Sequence, residues 1–291
     1  MPIGLKKHPM KRVKSHAIMS SFKRLIKGIF TATGSLSLLD ELHFQWTRLL
    51  NARKNRSFLR SNPTFRLPPD RYLHETYQLD YKEYVEDGRL TAQEIMERVK
   101  PFIPSDNLRI LEWGCGVARI TRHLKDILGN ADVVGVDVNP GMIAWNRSNI
   151  TDATFFTVDH SPPMNFLNDR FDLVIAISVL THIDSNLHEA WLSEITRTLH
   201  PGGMFILTTH GTAFLEKLSD LEQKQLLVKG TYTKNYLQQG HRMMSTYHNA
   251  EIFRKMLSQH FEVLEFHDGS EYPQTAGGQD LWVVRRQTEL N

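Results

Sequence analysis

From residue 108 onward the chain alternates short, strongly apolar runs with longer stretches of helical periodicity, and this alternation restricts the fold more than any other feature. Apolar runs fall at 108–113, 132–138, 154–158, 171–178 and 204–209. Strands of a parallel sheet are covered by crossover helices on both faces, so they read as unbroken hydrophobic runs. Two further runs, 261–266 and 281–286, have no helix between them and must pair antiparallel, because a parallel return needs a crossover. The expected fold is a doubly wound α/β domain: a seven-stranded, mostly parallel sheet with an antiparallel final strand, preceded by a helical N-terminal extension.

The composition agrees. Hydrophobic residues make up 41% and charged residues 23% of 291, as in ordinary globular domains. A single cysteine, Cys115, excludes an intrachain disulfide framework or a cysteine-based zinc site within one chain, and it fits a reducing, cytoplasmic setting. The longest apolar stretches, such as 171–180, are shorter than the roughly 20 residues of a membrane-spanning helix.

Three regions are expected: a basic arm over 1–60, a helical lead-in over 61–104, and the main domain over 105–291 with an insertion near 212–247. Residues 1–60 hold 13 Lys and Arg against two acids, Asp40 and Glu41. Within the arm, Ile18, Phe22, Leu25, Ile26, Ile29 and Phe30 recur at helical spacing among Lys23, Arg24 and Lys27. An amphipathic helix over 18–30 fits either contact with an anionic membrane or packing on the body of the protein, and the sequence leaves both open. Lys27 and Gly28 interrupt the apolar core that a secretory signal needs, whereas the acid-free start is compatible with an organelle transit peptide. In the lead-in, Pro63, Pro68 and Pro69 mark a linker, and helices are expected over 72–86 and 91–100 with a break near Asp87-Gly88.

The segment Leu111-Glu112-Trp113-Gly114-Cys115-Gly116-Val117-Ala118-Arg119 stands between an apolar strand and a helical run. Glycines let a backbone pass close to a ligand in such a turn. A dinucleotide-binding fingerprint would place a small residue where Arg119 stands, and it cradles a pyrophosphate. Glu112 at the strand end would repel phosphate and attract an amino group.

This segment resembles the glycine-rich motif of class I, Rossmann-like, S-adenosylmethionine-dependent methyltransferases. Asp137 ends the second strand 23 residues beyond Gly114, Asp159-His160 follows the third, Phe171 to His182 covers the fourth and its loop, and Leu199-His200-Pro201-Gly202-Gly203 leads into the fifth. The resemblance implies S-adenosylmethionine as cofactor, with contacts from Glu112, Gly114, Cys115, Gly116, Arg119, Asp137, Val138, Met142, Asp159, His160 and Ser178. Asp137 would bind the ribose hydroxyls, Asp159 the adenine amine and Met142 the purine face. Helix capping and core filling are the competing roles for Asp159 and Met142, and Cys115, which methyl transfer does not need as a nucleophile, reads better as a small filler in a tight turn.

Methylation of base amines is disfavoured, because Ser178-Val179-Leu180-Thr181 occupies the place where such enzymes carry two prolines and an aromatic. Ser161-Pro162-Pro163-Met164 follows the third strand instead and reads as a turn. Methyl transfer to a hydroxyl needs positioning and a base, and His182 and His210 follow the fourth and fifth strands. A stripe of Tyr77, Tyr81 and Tyr84 fits core packing or closure of the cofactor pocket. The insertion at 212–247 is long enough to form an acceptor-binding lid. No cluster of acids and histidines shows ligand spacing, so displacement without metal is expected. The leading expectation is an O-methyltransferase for a small polar or glycan acceptor. A nucleic-acid methyltransferase and a non-catalytic cofactor-binding module are the alternatives.

Overall fold

The computed structural model describes residues 36–103, 107–234, 244–272 and 275–288. The 18–30 helix lies outside them, as do residues 235–243 of the expected lid. The chain divides into two units, Met1–Ala52 and Arg53–Asn291. A helix absent from the sequence reading, α1 (Leu36–Ser61), begins in the first and continues into the second. It carries apolar residues on more than one face, so no single stripe marks it in the sequence.

In the second unit α2 (Asp70–Thr76) and α3 (Tyr81–Val99) precede the sheet. The break between helices therefore falls at residues 77–80, and the expected break at Asp87-Gly88 is absent. Asp80 explains the start of α3: its carboxylate caps the helix by accepting from the amides of Lys82 at 3.1 Å and Glu83 at 3.2 Å. Gly88 sits mid-helix for a packing reason. A Cβ there would lie 2.2 Å from the carbonyl oxygen of Arg119.

The sheet runs β3 (Thr154–Thr157), β2 (Ala131–Asp137), β1 (Leu108–Trp113), β4 (Phe171–Ala176), β5 (Leu199–Thr209), β9 (Asp280–Arg286), β8 (Phe261–His267). β1 to β5 are parallel, and β9 pairs antiparallel with both β5 and β8. The expected seven-stranded fold is the observed one, with β5 beginning earlier than read because Leu199 already pairs with Phe171, ahead of an irregularity before Met204. One face packs Trp113, Phe171, Trp191, Phe205, Phe253 and Trp282 with α6 (His188–Thr198) and α8 (Ala250–Leu257). The other packs Ile110, Ile175 and Ile206 against Ala92, Ile95, Met96 and Val99 of α3 and Leu124 of α4 (Thr121–Leu128). Apolar burial on both faces is the main driving force for this assembly. β1 has β2 on one side and β4 on the other, so strand order reverses there and a crevice opens at the carboxyl ends.

Between β5 and α8 the chain is more structured than a long loop. It forms a 3₁₀ turn (Thr212–Lys217), α7 (Asp220–Lys229) with a Ser219/Glu222 capping box, and a hairpin of β6 (Thr231–Lys234) with β7 (Ser245–His248). Leu218, Leu226 and Tyr247 give it a small core of its own.

Gly88→Ala tests the interlock of α3 with the turn after β1. Alanine improves intrinsic helix propensity by about 1 kcal/mol. The clash with a backbone atom outweighs this, and a net loss of about 1–3 kcal/mol is expected in urea unfolding. A more stable variant would show that α3 does not need the close approach.

Candidate cofactor and acceptor site

The glycine turn is held by the neighbouring strand. β1 ends at Trp113, and the amides of Gly114 and Cys115 both donate to the Val136 carbonyl of β2, at 2.8 and 2.9 Å. Gly114 and Gly116 have φ of +74° and +52°, a region that penalises any side chain. Space is equally restrictive: a Cβ would lie 2.5 Å from Val179 Cγ2 at Gly114 and 2.7 Å from Thr76 Cγ2 at Gly116. Cys115 is buried, and burial pushes its thiol well above the usual range. It fills the space over Gly135, where a Cβ would meet its sulfur at 3.0 Å.

Two carboxylates flank the turn. Asp137 Oδ2 accepts from Gly116 N at 2.9 Å and Oδ1 from Asn139 N at 2.8 Å. Burial raises the Asp137 pKa, against the amides of Asn139 and Gly116 that lower it. Asn139 in turn caps α5 (Pro140–Asn149), accepting from Gly141 N at 3.0 Å and Met142 N at 3.2 Å. Glu112 is buried, accepts a hydrogen bond from the Thr121 hydroxyl, and has its pKa pushed up to about 7 by burial, with the Thr121 hydroxyl and Arg119 opposing.

These groups line a cavity of about 720 Å³. Of the expected site residues, Glu112, Gly114, Cys115, Gly116, Arg119, Asp137, Val138, His160, Ser178 and His182 line it. Met142, Asp159 and His210 do not. Met142 is buried in the first turn of α5, and Asp159 is exposed. His210 is buried with its ring stacked on Phe214 at 4.3 Å, and burial pushes its pKa down to about 3.

His182 is placed differently. Its Nδ1 lies 2.7 Å from the Met244 carbonyl, which can only accept, so Nδ1 carries a proton. Ser178, at φ +64°, receives a hydrogen bond from Gln279 Nε2 at 2.8 Å, and the Thr208 hydroxyl donates to Gln279 Oε1 at 2.7 Å. Gln279 and Gly277, in the connection before β9, also line the cavity and were not legible in the sequence. Neither was Trp191, which lines it while its ring packs tilted against Trp113 at 4.6 Å.

The tyrosine stripe divides. Tyr84 is buried and donates to the Val117 carbonyl at 2.7 Å, and Tyr81 donates to Asp70 at 2.5 Å. Tyr77 instead lines the cavity, hydrogen-bonded to Asp87, with the Arg119 guanidinium 4.7 Å over its ring. Thr76, Thr91 and Glu94 complete a wall from α2 and α3. Among the described residues, no group of three or more His, Cys, Asp or Glu side chains is placed to hold a metal ion.

Residues 110–203 match a family model described as a methyltransferase domain. Over these residues the chain is similar to that family, and the sheet they help to build has a class I, Rossmann-like fold. Curated relatives of the chain include the biotin biosynthesis bifunctional protein BioCD of Bordetella avium (strain 197N), 31% identical over 146 residues that make up 48% of this chain and 30% of that protein. The malonyl-[acyl-carrier protein] O-methyltransferase of Hahella chejuensis (strain KCTC 2396) is 31% identical over 117 residues, 39% of either chain. The chain thus spans between 30% and 39% of the length of these relatives. A solved S-adenosylmethionine-dependent methyltransferase from Methanosarcina mazei aligns with a TM-score of 0.50 at 17% identity, over 66% of this chain and 98% of that one. Another, from Mesorhizobium loti, gives 0.50 at 19%, over 65% and 96%. At such identities the likeness is one of fold.

The cofactor of such a domain is S-adenosylmethionine, and the donor set fits it. Glu112 offers a buried carboxylate for an ammonium, Asp137 offers acceptors for a diol, and the glycine turn leaves no room for a side chain between backbone and ligand.

Two measurements test these assignments. Asp137→Ala is expected to weaken S-adenosylmethionine and S-adenosylhomocysteine alike by about 1.5–3 kcal/mol in titration calorimetry, through lost charge-assisted hydrogen bonds; unchanged affinity would remove the residue from the site. An ammonium binds the ionised form of Glu112, whose pKa in the free protein is about 7, so affinity is highest above that value and falls as pH drops through it. From about pH 8 to about pH 6 the affinity for S-adenosylhomocysteine should fall about tenfold, and Glu112→Gln should bind more weakly with a flat profile in that window. Constant wild-type affinity would dissociate Glu112 from the ammonium.

Proposed function

We propose that the chain is an S-adenosylmethionine-dependent O-methyltransferase acting on a small polar acceptor, a sugar or glycan hydroxyl, with His182 as general base. The observation that carries this reading is the orientation of His182: the Met244 carbonyl fixes the proton on Nδ1, and the ring sits in the wall of the same cavity as Glu112 and Asp137. The polar lining by Ser178, Thr91, Gln279 and Glu94 supports a hydroxylated acceptor. A malonyl-[acyl-carrier protein] O-methyltransferase stands among the relatives, which supports oxygen as the accepting atom.

When bound, the cofactor would supply an electrophilic methyl group on a sulfonium, whose methyl–sulfur bond breaks as the acceptor oxygen attacks, so that it leaves as the neutral thioether. Glu112 would hold its amino group and Asp137 its ribose, which together would fix its orientation, and positioning is where much of the rate of a direct displacement arises. His182 Nε2 accepts the acceptor's hydroxyl proton as the new carbon–oxygen bond forms. Tyr77 and Arg119, held by Asp87 and Thr91, wall the cavity against water. His210 is given no part in proton transfer, because it is buried outside the cavity lining.

His182→Gln is expected to lower turnover about 100-fold with cofactor affinity nearly unchanged. The decisive experiment is a screen of hydroxylated acceptors with radiolabelled cofactor, followed by that variant. Labelled nucleic acid in place of a methyl ether would overturn the acceptor class. A cofactor complex that never turns over would make the domain a binding module, and a loss below about fivefold would leave positioning alone as the source of rate.

A further inference from the structure

In the unit of residues 1–52, α1 has two unlike faces. Asp40 and Phe44 are buried, whereas Leu38, Leu42, Trp46, Leu49 and Leu50 are between 56% and 69% exposed. Steps of four, four and three place Leu38, Leu42, Trp46 and Leu49 on one side of the helix, in a row about 17 Å long at 1.5 Å per residue. Soluble proteins scatter single exposed hydrophobics, while contiguous rows mark a surface that something else covers.

The charge around this row indicates what covers it. In the sequence the same spacing runs on through Arg53, Arg56 and Arg60, all exposed, and residues 1–60 carry 13 Lys and Arg against two acids. An anionic lipid surface satisfies both features, because apolar side chains enter the acyl boundary while basic ones remain at the headgroups. Tryptophan in the row suits that boundary, its ring being apolar with one polar edge. A nucleic acid would leave four leucines in water, and a parallel second copy would set the arginines against each other.

We propose that the face of α1 bearing Leu38, Leu42, Trp46, Leu49 and Leu50 docks on the surface of an anionic bilayer, with the helix axis in the membrane plane. Among the described residues no helix is long and apolar enough to cross a membrane. The docking is independent of the proposed methyl acceptor.

Sedimentation of the full-length protein with phosphatidylcholine vesicles, with and without phosphatidylglycerol, tests this. The protein should sediment with the anionic vesicles, less so as salt is added, and the combined variant Leu42→Gln, Trp46→Gln, Leu49→Gln should partition at least about tenfold more weakly. Unchanged circular dichroism and melting temperature show that the variant is folded. A second measurement needs no polar substitution: the emission difference between wild type and Trp46→Phe isolates Trp46, which should shift to the blue on vesicles. Wild-type protein left in the supernatant overturns the proposal. So does a folded triple variant that sediments like wild type, which would place the contact within residues 1–30, and so does Trp46 emission that does not move.

Discussion

The Asp137 carboxylate joins the two backbone segments on which the cavity depends. One oxygen receives Gly116 N from the turn after β1, the other receives Asn139 N at the start of α5, and the carbonyl of the preceding Val136 receives Gly114 N and Cys115 N. Hydrogen bonds to an ionised acceptor are roughly twice as strong as neutral ones, so this end of β2 fixes the turn more firmly than ladder bonds could. With the turn fixed, Gly114 passes Val179 and Gly116 passes Thr76 at distances that exclude a side chain. The position of the loop after β4 and of α2 follows from that contact.

The lead-in helices are part of the same arrangement. Gly88 lets α3 approach the Arg119 carbonyl, and the Arg119 side chain reaches back to the Thr91 hydroxyl at 3.2 Å and over Tyr77. Arg119 stands where a dinucleotide-binding turn would carry a small residue for close packing of helix and strand. Here the close packing is supplied from the other partner, by a glycine in α3. The carboxylates Glu112 and Asp137 and the uncharged hydroxyls of Thr91 and Ser178 then give the cavity a character suited to a cationic, hydroxylated ligand.

Histidines illustrate how environment assigns roles. His188 and His248 stack at 5.1 Å in the interior and His210 packs on Phe214, and burial lowers the pKa of all three. His182 reaches the cavity because the segment before β7 presents the Met244 carbonyl to its Nδ1. The insertion between β5 and α8 thus sets the tautomer of a side chain that belongs to the loop after β4.

The sequence by itself determined the sheet and the place of the glycine turn after its first strand. Runs buried on both faces are a local property, legible wherever five or six apolar residues stand together, and the spacing from Gly114 to Asp137 is the length of one helix and one strand. It also named both histidines and the tyrosine stripe without dividing them. Only the tertiary structure decided that His182 and not His210 faces the cavity, that Tyr77 leaves the core while Tyr84 stays in it, and that Gln279 meets Ser178 across 101 residues of sequence. Gly88 read as a helix break because its reason for being glycine, the Arg119 carbonyl, lies 31 residues away. α1 escaped notice because its apolar residues serve two surfaces at once. Local periodicity is written along the chain, whereas contacts between distant segments exist only once the sheet has brought its carboxyl ends together.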